Sequence, residues 1–377
     1  MSLDFSLNPV MAEQLLPWLR EDNPERLARL WTLANRVRRE KVGDAVHLRG
    51  LIEISNHCAR QCAYCGLRAG NRSLVRYRMN TEEILAAVRQ AVAFGYGTVV
   101  LQAGEDAGIT TDWMAAVVRR IKSETPLAVT LSLGERPKQD LAAWRQAGAD
   151  RYLLRFETSD RALYKSVHPN LGGKTSDRIA DLMQLRQLGY EIGSGIMVGL
   201  PGQTYRSVAE DIVLFHQLDL DMIGIGPFIP HPGTPLGSTP SQLPVGEQVP
   251  NMEQMVYKIV ALARLVCPEA NIPSTTALAT INLSNGRERG LLCGANVVMP
   301  NLTPMPYRQF YEIYPGKACL HETGEACNGC LGTRLAAIGR YPGQGGGGRR
   351  RCEPLSATTQ SIREEQITLT QRGGQCE

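Results

Sequence analysis

Three cysteines, Cys58, Cys62 and Cys65, fall within the stretch SNHCARQCAYCGLR at residues 55–68. At i, i+4 and i+7 on a loop, three thiolates can converge on one corner of a small inorganic cluster, and soft sulfur donors favour iron–sulfur or zinc. A closed structural zinc site wants a fourth ligand nearby. His57 adjoins Cys58, which places its side chain poorly for the same site, and no further cysteine occurs before Cys267. Three protein donors on a four-iron cube leave one iron open, as catalytic metal sites keep a position for substrate. The spacing points to an open 4Fe-4S cluster; a zinc knuckle or three unrelated thiols are the alternatives.

Such a loop needs a frame. From residue 46 the chain alternates short β-branched runs with helical patterns, and eight strand candidates precede residue 300: 46–55, 97–104, 127–134, 151–158, 191–200, 222–230, 272–278 and 294–300. Between them lie helices such as TEEILAAVRQAVAFG, with Thr81 as N-cap, Glu82 and Glu83 in the first turn and Gly95 as the stop. Strands too apolar to have one wet face indicate a parallel sheet wrapped by helices, and eight units predict an α/β fold of the (β/α)8 TIM-barrel type. An open doubly wound sheet is the competing architecture. In a barrel, chemistry belongs at the C-terminal ends of the strands. Polar segments fall there: Cys58 to Cys65 after the first strand, QAGED (102–106) after the second, Ser132 to Glu135 after the third, and Arg155 and Glu157 on the fourth.

Residues 1–45 read as an N-terminal helical cap, amphipathic with Pro17 and Pro24 as breaks, followed by the barrel over 46–315 and a C-terminal extension over 316–340. The Gly- and charge-rich segment 341–377 lacks an apolar pattern and is expected to be disordered. With 43% hydrophobic and 21% charged residues the chain is of globular composition, and a net charge of +4 argues against nucleic acid or an anionic membrane surface as partner. No apolar run reaches membrane-spanning length and the first residues lack a secretory pattern, so the expected location is cytoplasmic. There ten cysteines are better suited to metal, chemistry or core packing than to disulfides.

The C-x3-C-x2-C motif, with Tyr64 before the last cysteine and a barrel strand before the loop, resembles the radical S-adenosylmethionine (SAM) superfamily. That resemblance implies that the open iron binds the amino and carboxylate groups of SAM, whose reductive cleavage gives methionine and a 5′-deoxyadenosyl radical. QAGED looks like the superfamily's Gly-Glu segment, so Gly104 and Glu105 are expected to receive the methionine ammonium. GIMVGLPGQT (195–204) resembles its glycine-rich segment beside adenine and ribose. Arg155 could fork onto the methionine carboxylate, Glu157 accept from ribose hydroxyls, and Arg178 add a carboxylate contact, with Tyr64 and Ser132 also at SAM. A buried salt bridge between Arg155 and another acid is the plainer reading.

Longer segments, among them VLQAGED, TLSLGE, ADRYLLRFET, DMIGIGPFIPHPGTP, CGANVVMPNLTP and YRQFYEIYPGK, resemble the HydE family of iron-only hydrogenase maturases over residues 46–340. The resemblance implies a role in H-cluster assembly: a radical acting on a cysteine-bound iron carbonyl cyanide complex made by the maturase HydG, with products passing toward HydF, and an external electron donor. It places Gln102, Thr130, Met222, Thr275, Thr276, Arg308 and Tyr311 in the substrate cavity, where core packing or helix capping is the alternative for each. A second trio, Cys319, Cys327 and Cys330, has the spacing of family members with an auxiliary 2Fe-2S cluster; zinc is the rival, and His321, Cys352 or an external ligand could be the fourth donor. Cys267 and Cys293 read as core thiols. Biotin synthase-like or methylornithine synthase-like chemistry on an organic substrate, or a simple iron–sulfur electron carrier, would share the first motif.

Overall fold

The computed structural model describes residues 11–350, apart from 174, 242, 245, 319 and 321–323, and the side chains of 325–327. Two helices, α1 (Ala12–Leu19) and α2 (Pro24–Val42), precede β1 (Ala45–Ser55). Strand and helix then alternate through α3 (Thr81–Ala93), β2 (Thr98–Ala103), α4 (Thr111–Glu124), β3 (Ala128–Ser132), α5 (Lys138–Gln146) and β4 (Arg151–Leu153). Next come α6 (Arg161–Val167), α7 (Arg178–Gln187), β5 (Glu191–Val198), α8 (Tyr205–Gln217) and β6 (Met222–Pro227). The remainder comprises α9 (Glu253–Val266), α10 (Thr276–Ile281), α11 (Gly286–Leu292), β7 (Val297–Val298), α12 (Met305–Arg308), α13 (Gly324–Ala337) and β8 (Tyr341–Pro342).

All ladders are parallel, in the order β6-β5-β4-β3-β2-β1-β7, which is the α/β barrel the alternation predicts. Strands are buried on both faces because helices cover the outside: Ile52, Val99, Val129, Tyr152, Ile192 and Ile223 are all fully enclosed. The seventh expected strand, 272–278, is not a ladder. Residues 271–274 make only isolated bridges, Met222 to Asn271 and Ile225 to Ser274 on one side and Pro273 to Val297 on the other, and these complete the ring. The reason is local: Pro273 has no N–H to give a ladder, and the Thr275 hydroxyl turns to accept the Leu278 N–H as N-cap of α10. The eighth expected strand shrinks to Val297–Val298, and the fourth stops at Leu153, before Arg155 and Glu157.

Two helix signals also differ from expectation. Asn80, not Thr81, caps α3, in a reciprocal capping box with Glu83. Pro17 lies inside α1 instead of ending it. Both N-terminal helices pack on the barrel flank, α1 against α8 and α2 against α9, where the buried Lys258 ammonium donates to the Leu19 carbonyl at the end of α1.

Within the segment 341–377 expected to be disordered, the described residues 341–350 are ordered. β8 pairs with the start of β1, and the glycine-rich turn that follows spans the N-terminal ends of the strands. Thr98 Oγ1 and Arg151 Nη2 donate to the Gly346 carbonyl at 2.9 and 2.8 Å, and Arg49 Nη2 and Asn271 Nδ2 to the Gly347 carbonyl at 3.1 Å each. An apolar pattern was not needed, because backbone carbonyls satisfy buried donors at the barrel floor. Residues 351–377, including Cys352 and Cys376, lie outside the described residues. No helix among the described residues is long and apolar enough to cross a membrane.

Candidate active site

The cysteine loop leaves β1 at its C-terminal end and is pinned by backbone hydrogen bonds to three separate segments. Ala59 N donates to the Glu105 carbonyl after β2 (2.9 Å), Ala63 N to Val167 at the end of α6 (2.8 Å), and Gly66 N to Ile313 (3.0 Å). Arg76 clamps it further, donating to the carbonyls of Asn56, Leu67 and Arg68. The loop therefore holds its thiols in place before any ligand arrives. Gly104 shows how tightly: a Cβ there would lie 2.3 Å from the His57 carbonyl oxygen and 2.6 Å from Cys58 Cβ.

Cys58, Cys62 and Cys65 line the mouth of one cavity of about 330 Å³ that runs down the barrel axis, a size suited to a small-molecule site. Burial pushes the Cys62 thiol up to about 12, with the neighbouring Cys58 adding to the rise; burial likewise raises Cys58 and Cys65. Cys62 feels the charge of Cys58, and Cys65 feels both Cys62 and Cys58, so the sulfurs are electrostatically linked. A buried trio of this kind becomes anionic only against a compensating cation, and metal binding releases its protons. A three-thiolate corner facing an open cavity fits a 4Fe-4S cluster with one iron left for another ligand.

Every residue expected at SAM lines this same cavity: Tyr64, Gly104, Glu105, Ser132, Arg155, Glu157 and Arg178. Arg155 and Glu157 are not strand residues but stand on the segment beyond β4. Glu157 has φ +62°, a left-handed conformation that costs a non-glycine residue energy, and its N–H still bonds the Gly195 carbonyl at 3.0 Å. The two side chains pair with each other, Nη2 to Oε2 at 3.0 Å, while Arg155 Nη2 also donates to the Ile196 carbonyl at 2.6 Å. The plainer reading, a buried bridge from Arg155 to another acid, is not what forms: the partner is Glu157 itself, and the Arg155 side chain, 29% exposed, faces the cavity. Glycine in the β5 segment has a different cause from the expected approach of a nucleotide: a Cβ at Gly195 would stand 1.9 Å from the Gly224 carbonyl oxygen of β6.

Behind the loop lies a charge cluster that the sequence did not announce. Glu105 accepts from Arg60 Nε at 2.5 Å and from Arg178 Nη2 at 3.2 Å. Glu135 accepts from Arg60 Nη2 at 2.6 Å, Arg178 Nε at 3.0 Å and Ser176 Oγ at 2.5 Å, and His168 Nε2 lies 3.4 Å away. Burial would raise the Glu135 carboxyl, but the hydrogen bond from Ser176 and the charges of Arg178 and Arg60 hold it well below the carboxylate range. Glu105, Glu135 and His168 are close enough to hold a cation, yet Arg60 and Arg178 already supply that charge. The Glu105 carboxylate is therefore engaged by two guanidiniums. Glu135 closes the polar segment noted after the third strand, though no role was attached to it; His168 and Arg60 carried no local signal.

Deeper in the cavity stand Gln102, Thr130, Met222, Thr275, Thr276 and Tyr311, as expected. Gln102 Nε2 donates to the Tyr311 hydroxyl at 3.2 Å, and Thr130 Oγ1 is buried with no hydrogen-bond partner among the described residues. Arg308 is the exception. It is buried away from the cavity lining and donates to the carbonyls of Thr303 and Asn301, because α12 turns it back on the preceding loop. In its stead the cavity gains Arg49, Glu53 and Lys317, the last two joined as a buried ion pair. Cys267 and Cys293 are buried core thiols, as their apolar context indicated. Of the second trio, Cys319 and the side chain of Cys327 lie outside the described residues; Cys330 is exposed on α13, which also carries position 327.

Residues 52–215 match the model of the Radical SAM superfamily. The chain is 48% identical over 322 residues to the [FeFe] hydrogenase maturase subunit HydE of Thermotoga maritima, covering 85% of this chain and 89% of that one. It is 29% identical to the 3-methylornithine synthase of Methanosarcina acetivorans, over 76% and 78% of the respective chains. Among solved structures, methylornithine synthase (PylB) superposes with a TM-score of 0.76 at 26% identity, over 90% of this chain and 96% of its own. The maturase HydG shares the fold, with a TM-score of 0.72 at 19% identity over 89% and 73%. With the cysteine loop, the barrel and the near-full-length match all in agreement, the chain is a radical SAM enzyme and belongs to the HydE family of [FeFe] hydrogenase maturases.

Proposed function

We propose that Cys58, Cys62 and Cys65 ligate a 4Fe-4S cluster and that the enzyme acts in the cytoplasm on a cysteine-bound Fe(CO)2CN complex from HydG, as a step toward the two-iron unit carried by HydF. The observation that carries this reading is one continuous cavity with the thiol trio at its mouth and polar groups at its depth. When bound and reduced by an external donor, the cluster supplies the electron that cleaves SAM to methionine and the 5′-deoxyadenosyl radical. This chain's residues bind and orient the rest. Arg155 and Arg178 offer guanidinium donors to the methionine carboxylate, the Glu157 carboxylate accepts from ribose hydroxyls, and the backbone and carboxylate of the Gly104–Glu105 segment receive the methionine ammonium. Below, the Gln102 and Tyr311 pair, the Thr130, Thr275 and Thr276 hydroxyls and Met222 line a chamber for a compact, polar complex. The turn at Gly346 and Gly347 covers the end of the barrel opposite the cysteine loop, where excluding water would protect a radical from side reactions.

The match to HydE at 48% identity, against 29% for methylornithine synthase, supports this substrate over an amino acid. The second trio is assigned an accessory 2Fe-2S cluster. The test supplies the HydG product, SAM and a reductant to the anaerobically purified enzyme. Expected is 5′-deoxyadenosine covalently attached to substrate sulfur, with Cys62→Ala neither cleaving SAM nor supporting hydrogenase maturation. Full maturation by that variant would overturn the assignment.

A further inference from the structure

Cys62 Sγ lies 3.0 Å from Nδ1 of His168, a residue 106 positions away that no sequence motif links to the loop. The imidazole is buried. The backbone N–H of His168 bonds the Tyr164 carbonyl at 2.8 Å, its ring lies tilted against the Tyr164 ring at 5.0 Å between centroids, and Nε2, which has no hydrogen-bond partner among the described residues, lies 3.4 Å from Glu135 Oε1. Glu135 is in turn held by Arg60, Arg178 and Ser176.

The three sulfurs are not served alike. Cys58 takes backbone N–H groups from Arg60 and Glu105, and Cys65 takes one from Leu67. At Cys62 the groups brought to the sulfur are side chains, the Tyr64 hydroxyl and the His168 ring. As a cluster ligand Cys62 is a thiolate, which has no proton of its own, and a ring lone pair 3.0 Å from an anionic sulfur would repel it. Nδ1 must therefore present its hydrogen.

We propose that His168 is a positioning residue for the cluster, donating Nδ1–H to the Cys62 thiolate and so raising the potential at which the cluster accepts its electron. The proposal rests on the ligand reading of the cysteine trio. A positive N–H dipole at a ligand sulfur stabilises the more negative, reduced cluster more than the oxidised one, and hydrogen bonds to sulfur are a main determinant of cluster potential.

The test uses reconstituted holoenzyme in three forms: native, His168→Leu and His168→Asn, whose amide nitrogen stands near the place of Nδ1. Potentiometric titration followed by EPR should show a midpoint shifted to more negative values in H168L and largely restored in H168N. Pulsed EPR of reduced native enzyme carrying ring-15N histidine should show a weak 15N coupling to the cluster that H168N lacks. An H168L enzyme with full iron content and an unchanged midpoint overturns the proposal. Should H168L fail to hold a cluster, the pulsed measurement decides, and absence of the 15N coupling in native enzyme overturns it. A native enzyme with no reducible four-iron signal at all would overturn the ligand reading beneath it, a result distinct from an unshifted midpoint.

Discussion

Glu135→Gln perturbs the site with almost no change of shape. The native carboxylate, 3% exposed, is shared by Arg60 at 2.6 Å and Arg178 at 3.0 Å, whose side chains are 5% and 10% exposed. In the variant two buried guanidiniums are left with Glu105 as the one carboxylate between them. Removing one partner of a buried ion pair costs about 3–5 kcal/mol. Because Glu105 still compensates part of the charge, the lower end, about 3 kcal/mol, is expected, or roughly a hundredfold in the folding equilibrium. The pH dependence has a definite sign. The Glu135 carboxyl is held below its ordinary value of 4.5 in the folded chain, so its contribution is complete above that value and lost as pH falls through the folded one. Urea unfolding of anaerobically handled protein, followed by circular dichroism, should show a gap of about 3 kcal/mol between native and variant at pH 7.5 that narrows below about pH 4.5. A gap under about 1 kcal/mol, or one that does not narrow in acid, refutes the reasoning.

Two other perturbations follow from the geometry. Gly104→Val puts a branched side chain where even a Cβ meets the His57 carbonyl at 2.3 Å, so iron bound per chain after reconstitution should fall several-fold while the barrel stays folded; undiminished iron contradicts the close approach. Asp211 is fully buried on the inner face of α8, where desolvation pushes its carboxyl up to about 7 against hydrogen bonds from Ser159. A raised carboxyl stabilises the fold most below its unfolded value near 3.8, and that benefit is lost as pH rises through about 7. Asp211→Asn should therefore flatten the fall in thermal midpoint between pH 5 and 8, and an unchanged slope would count against a protonated Asp211.

What the sequence disclosed depended on how local each feature was. Cys58, Cys62 and Cys65 sit on one loop, so their spacing alone carried the chemistry. Gly104, Glu105, Ser132 and Glu157 were found because the strand pattern places the ends of successive strands at one mouth. The alternation could not show that Pro273 and Thr275 would reduce a strand to isolated bridges, since hydrogen bonding by a missing N–H and a capping hydroxyl leaves the apolar pattern intact. The glycine-rich run 343–348 was misread for the opposite reason. Its backbone carbonyls, not its side chains, do the binding, and the partners Thr98, Arg151 and Asn271 are far away in the chain. Arg308 stands in a segment that resembles the family's and still turns from the cavity, because the direction of a side chain on a four-residue helix is set by neighbouring carbonyls. His168 and Arg60 became visible only once the fold brought α6, β2 and β3 against the loop.

The central claim is that the cysteine trio holds a cluster with one iron free for SAM. The most direct measurement is EPR of the dithionite-reduced, reconstituted enzyme with and without SAM. A four-iron signal whose g-values shift when SAM is added is the predicted result. A signal indifferent to saturating SAM would contradict the account.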